Sequence, residues 1–136
     1  MYLDPYGLRE IPKGAGPTAY SELTSGYSTM KNSVVGADQF FHCRSACEAS
    51  KASGQPSVVR EILRGKEIID FPRNVAGRGF TLTEASDDFK ADMAANETGL
   101  QCPVNTPCNK QCKPFIDTMT KYPASQRYMR NTYPPY

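Results

Sequence analysis

The sequence has little of what marks several large function classes. Its formal net charge is only +2 over 136 residues, and no basic face clusters as it does in a dedicated nucleic-acid binder. No run approaches the ~18 apolar residues that a membrane-spanning helix needs. The apolar fraction, 39%, is below the ~45–50% (glycine included) of an ordinary globular domain. There is one histidine, His42, which excludes nucleases that need two. His-Glu-x-x-His, phosphate loops, Gly-x-Gly-x-x-Gly and Gly-x-Ser-x-Gly are all missing. No cofactor is implied and no metal site is expected. The opening MYLDPYGLRE lacks the basic start and apolar stretch of a signal peptide, so export would depend on another element.

Cysteine, by contrast, is plentiful. The five lie at Cys43, Cys47, Cys102, Cys108 and Cys112. Cys43/Cys47 and Cys108/Cys112 share one spacing, and residues four apart lie on one face of a helix. Two such helices packed antiparallel would form a ladder, Cys43 to Cys112 and Cys47 to Cys108. Each link would contribute on the order of 4 kcal/mol. Three alternatives stand beside it: buried free thiols, a zinc site, or a pairing of Cys102 with Cys108 or Cys112. Structural zinc usually takes tighter Cys-x-x-Cys knuckles. The ladder points to an oxidising destination such as a periplasm or extracellular space.

The length suits one domain with loose ends. Prolines and glycines punctuate residues 1–35, so 9–35 reads as an irregular linker. A first helix is expected from about Ala37 to Ala52, begun by Gly36 or Asp38 and stopped at Ser53-Gly54. Its buried stripe is Phe40, Cys43, Ala46 and Cys47, with Phe41 beside it. A second starts near Pro56 and runs to about Asp70, carrying Val58, Val59, Ile62, Leu63, Ile68 and Ile69. Residues 71–82 read as a loop. A third helix spans about Thr83 to Glu97, with Thr83 as N-cap, Phe89, Met93 and Leu82 or Ala85 inward, and Gly99 as the stop. A short fourth begins at Thr106-Pro107 and ends or bends at Pro114. The tail 122–136 holds four tyrosines, three prolines and two arginines. It reads as an extended strap or a mobile end, able to pack on its own domain, sit at a membrane interface or stack on bases. The fold class is therefore all-α: a disulfide-braced bundle of about four helices, residues 36–136, between an irregular start and an extended tail.

The candidate chemistry centres on His42. Asp38 lies one turn before it, and the third helix offers Asp92 with Asn96 one turn later. A His42–Asp92 pair between packed helices fits a hydrolytic or lytic site using His42, Asp38, Asp92 and Asn96. The same residues would equally serve as a buried polar pair that fixes helix register. Cys43 adjoins His42, but neighbours on a helix point in different directions.

Two resemblances add to this. Tyr2-Leu3-Asp4-Pro5-Tyr6-Gly7-Leu8 resembles the Asp-Pro-x-Gly-Leu motif that ends the Rhs core of bacterial polymorphic toxins. By that resemblance residues 1–8 end the core, the Leu8–Arg9 bond is the one cut, and Asp4, Pro5, Gly7 and Leu8 belong to the self-cleavage motif. The segment beyond would be the toxin. Gly36-Ala37-Asp38-Gln39-Phe40-Phe41-His42 is similar to a Gly-Ser-Asp-Lys-Tyr-Phe-His segment of serum amyloid A. Ala91-Asp92-Met93-Ala94-Ala95-Asn96-Glu97-Thr98-Gly99 is similar to its Ala-Asp-Gln-Ala-Ala-Asn-x-x-Gly segment. Some Rhs C-terminal domains carry this pair of segments with added cysteines, which Cys43, Cys47, Cys108 and Cys112 resemble. The loop Pro72–Phe80 and the proline-rich ending depart from the pattern. The resemblance implies a secreted effector delivered into a target cell, with the periplasm or membrane as its destination. Its partners would be the Rhs shell, a cognate immunity protein and target-cell membrane lipid. Fold does not fix activity, so a hydrolase or lyase and a non-toxic interaction module remain the competing expectations.

Overall fold

The computed structural model describes residues 34–65 and 81–136 (the side chains of 84, 85 and 88 aside), together with the backbone of 2–3 and 10–11. Five helices stand among the described residues: α1 (Asp38–Ser53), α2 (56–65), α3 (Leu82–Leu100), α4 (Cys108–Asp117) and α5 (Pro123–Thr132). One two-residue antiparallel pairing, β1 (Tyr2–Leu3) with β2 (Glu10–Ile11), sets Tyr2 opposite Ile11 and Leu3 opposite Glu10. The all-helical, disulfide-braced class read from the sequence is the observed one. Residues 4–9, with most of the cleavage-like motif, lie outside the described residues, as do Ile68, Ile69 and the loop at 71–80.

α1 is the central element. Asp38 occupies its first turn, where the helix dipole favours a carboxylate, and the chain leaves it at Gly54 in a left-handed conformation (φ 67°). Phe40, Phe41, Cys43, Ala46 and Cys47 are all buried, as the stripe predicts. To one side of α1, Ala46 and Ala49 meet Val58, Val59, Ile62 and Leu63 of α2 and Leu100 of α3. To the other, Phe40, Phe41 and Cys43 meet Ala95, Cys112, Ile116, Met119 and Met129. Neither group alone would form a core, because few large aliphatic residues are available; α1 joins the two.

The ladder is present. Cys43 is bonded to Cys112 and Cys47 to Cys108, with Cα separations of 5.8 and 5.7 Å. It clamps α1 to α4. Arg44 Nε donates to Asn109 Oδ1 at 3.0 Å alongside the clamp.

Four details differ from the sequence reading. The tail is not an extended strap: residues 123–132 form α5. Pro123 sits in the first turn, where a missing N–H costs nothing. Gln126 Nε2 donates to the carbonyls of Ile116 and Asp117 at 3.0 and 3.2 Å, satisfying the end of α4. Met129 is fully buried, and the Tyr133 ring lies 5.2 and 5.6 Å from those of Phe40 and Phe41. Second, Pro114 does not end α4, which continues to Asp117. Lys110, whose carbonyl Pro114 leaves without its helical donor, lies on the exposed side, as Pro114 does. Third, α4 begins at Cys108 with Pro107 as the capping residue, in extended conformation (ψ 142°). Fourth, α3 begins at Leu82, which is exposed, so Thr83 is not its N-cap. It also runs through Gly99 to Leu100, so Gly99 is not its stop.

Gly99 has a packing role instead. A Cβ there would overlap the Cys43 carbonyl oxygen and stand 2.9 Å from the Ala46 Cβ. Glycine at that point is what lets α3 cross close against α1.

Candidate functional site

The close crossing of α1 and α3 brings together three polar side chains that burial would ordinarily exclude. His42, Asp92 and Asn96 are 5%, 7% and 2% exposed. Asp92 and Asn96 lie one turn apart on α3. His42 Nε2 stands 3.4 Å from Asp92 Oδ1. At that distance imidazole and carboxylate touch without forming a short N–H···O bond. The pairing inferred between packed helices is thus present. Asp38 is exposed at the start of α1, one turn before His42, and does not share the buried setting.

Asn96 is the member of the cluster that sequence reasoning left undefined. Its Nδ2 and Oδ1 are both buried and neither makes a hydrogen bond among the described residues. An unsatisfied buried amide costs roughly 1–3 kcal/mol. Its presence needs a reason, such as a water or a ligand group that reaches it. Nothing in the sequence signals this, because the asparagine lies in a regular helical run.

The cluster is framed by polar contacts along α3. Arg60 of α2 grips Glu97 with two nitrogens, Nε to Oε1 at 2.6 Å and a terminal nitrogen to Oε2 at 3.3 Å. That hydrogen bond holds the Glu97 carboxyl below its ordinary range and raises the Arg60 guanidinium. Gln111 Nε2 of α4 donates to the Thr98 carbonyl at 2.9 Å. Four consecutive positions, Asn96 to Gly99, therefore carry the unsatisfied amide, the grip of α2, the link to α4 and the crossing with α1. Chemically, an imidazole beside a carboxylate can move a proton, and an asparagine amide can donate to an oxygen that gains charge.

The rest of the sequence-derived set is placed as follows. Cys43, Cys47, Cys108 and Cys112 are the bonded pairs, and Cys102 is the free thiol. Asp4, Pro5, Gly7 and Leu8 lie outside the described residues.

No protein-family model matches the chain, and no solved structure does. The chain is 34% identical over 107 residues to an uncharacterized protein of Escherichia coli (strain K12), YlbH. The match takes in 73% of this chain and 45% of that protein, so the chain spans less than half the length of its curated relative.

Proposed function

We propose that this chain is an antibacterial toxin domain delivered by an Rhs carrier, acting on target-cell membrane lipid and held in check by a cognate immunity protein. The observation that carries the toxin reading is the Asp4-Pro5-Tyr6-Gly7-Leu8 motif followed in the chain by a separately clamped helical unit. A domain cut from its carrier must hold together alone, and the two disulfides serve that need. The lipid target is supported by the C-terminal part: Tyr122, Tyr128 and Tyr136 are exposed, beside exposed Lys121, Arg127 and Arg130. Amphipathic rings and cations together favour a headgroup interface. No described helix is long and apolar enough to cross a membrane, so the contact proposed is interfacial.

Residues 9–136 expressed in a bacterium, in the cytosol and with periplasmic export, should stop growth and depolarise the cells. Normal growth in both compartments would overturn the toxin role and leave an interaction module.

A second reading, a hydrolase or lyase, is favoured by the unsatisfied Asn96 amide next to His42 and Asp92. His42→Gln separates the two. A folded variant that no longer harms cells supports the enzyme; a folded, fully toxic one supports the lipid route.

A further inference from the structure

The small net charge of the whole chain conceals an uneven distribution. Residues 103–136 carry five cations, Lys110, Lys113, Lys121, Arg127 and Arg130, against one carboxylate, Asp117, a net charge of +4. The 102 residues before them hold eleven cations and thirteen carboxylates, a net −2. Such asymmetry within one chain points to a segment that meets an anionic surface.

The fold gathers these cations. Lys110 and Lys113 are exposed, three apart, on the face of α4 that turns away from its buried Cys108, Cys112 and Ile116. Lys113 Nζ reaches Asp117 Oδ2 at 2.9 Å, and a terminal nitrogen of Arg130, on α5, reaches Asp117 Oδ1 at 3.2 Å. One carboxylate therefore joins the basic faces of the two helices. Arg127, exposed one turn before Arg130, extends the strip along α5. The bonds from Gln126 to the carbonyls of Ile116 and Asp117 fix the two helices against each other. Lys113 and Arg130 stay 50% and 54% exposed despite their shared partner, and each has more N–H donors than Asp117 occupies.

We propose that this strip, Lys110 and Lys113 of α4 with Arg127 and Arg130 of α5, docks on a bilayer rich in anionic phospholipid, with headgroup phosphate as its ligand. The inference rests on the lipid reading above and narrows it to the acidic class. Cations of this kind are drawn to a negatively charged leaflet, and Tyr128, exposed beside Arg127, offers a ring to the headgroup layer. Nucleic acid presents the same phosphate. The two disulfides, however, belong to an oxidising compartment, where the extended polyanion is the membrane face. Within the strip Asp117 acts as a brake, since it occupies two of the four cations and repels phosphate. Its removal should strengthen docking, which a carboxylate serving only the fold would not do.

Cosedimentation of the oxidised full chain with vesicles at low salt tests this. Vesicles of mixed phosphatidylglycerol and phosphatidylcholine should bind it, and pure phosphatidylcholine should bind it at least ~10-fold more weakly. Each cation near an anionic surface is worth roughly five-fold, so Lys110→Gln/Arg127→Gln should bind roughly 25-fold more weakly. Both positions are exposed, and helical circular dichroism should be unchanged. Asp117→Asn should bind more tightly than wild type. Equal binding to the two vesicles, full binding by Lys110→Gln/Arg127→Gln, or no gain in Asp117→Asn would overturn the anionic docking and leave the lipid reading standing. Absence of binding to either vesicle would overturn both. Duplex DNA that strips the protein from vesicles at equal phosphate concentration would assign the strip to nucleic acid instead.

Discussion

Two residues at the α1–α3 crossing make opposite demands, and each can be tested alone. Gly99 leaves no room for a Cβ against the Cys43 carbonyl. Alanine gains up to ~1 kcal/mol of helix propensity over glycine, but backbone on the opposing side cannot yield as a flexible side chain can. Overpacking of this kind costs about 1–3 kcal/mol, so Gly99→Ala should lower the urea midpoint of the oxidised protein. Asn96 behaves in the other sense. Its amide is buried with no hydrogen bond among the described residues, so Asn96→Leu removes an unsatisfied group at similar volume. Unfolding should be unchanged or shifted to higher denaturant. A loss above ~1 kcal/mol would mean that the amide is satisfied in solution. If the folded Asn96→Leu protein also loses its effect on cells, the cluster is chemical rather than structural.

At the scale of elements, two carboxylates join helices and carry part of the acid response. Glu97 is held low first by its hydrogen bond to Arg60, and Asp117 first by Lys113 and then by Arg130. A carboxyl whose folded pKa is depressed stabilises the fold above its unfolded pKa, ~4, and that stability is lost as pH falls through the folded value. Both groups are substantially exposed, so each is worth under ~1 kcal/mol. The denaturation midpoint should fall below pH 4, and less steeply in Arg60→Ala. α5 depends on packing instead: Met129→Ala, at a fully buried position, should cost about 2–5 kcal/mol. The helices with repeated aliphatic or cysteine stripes, α1 and α2, are legible in the sequence because periodic burial writes itself into composition. α5 is not, since Gln126, Met129 and Tyr133 are its inward contacts among three prolines and four tyrosines. Of the site, the His42–Asp92 pairing is legible from helix spacing and side-chain chemistry. The Gly99 crossing and the isolation of Asn96 are not, because both depend on how closely two backbones approach.

The whole molecule is governed by how its two disulfides overlap. Their sequence separations are 69 and 61, so one loop lies inside the other and the links share all but 8 residues. In the chain-entropy picture, either link alone closes a long loop and removes about 4 kcal/mol of freedom from the unfolded chain. Once one link is in place, the second closes only the short remaining ring, worth nearer about 3 kcal/mol. The effects are therefore not additive in the usual sense. Removing either pair, as Cys47→Ala/Cys108→Ala or Cys43→Ala/Cys112→Ala, should cost about 3 kcal/mol before the packing loss at each site. Removing both should cost about 7 kcal/mol, a large part of the ~5–15 kcal/mol that holds a domain folded. Urea titrations of the two double variants and the quadruple variant in metal-free buffer measure the three terms. Equal losses for the first and second pair would contradict the nested-loop account. The predicted order also bears on where the protein works. With either bond opened alone, the fold should survive, and with both opened it should become marginal. Helical circular dichroism under graded reduction should therefore fall late, with loss of the second bond and not with the first.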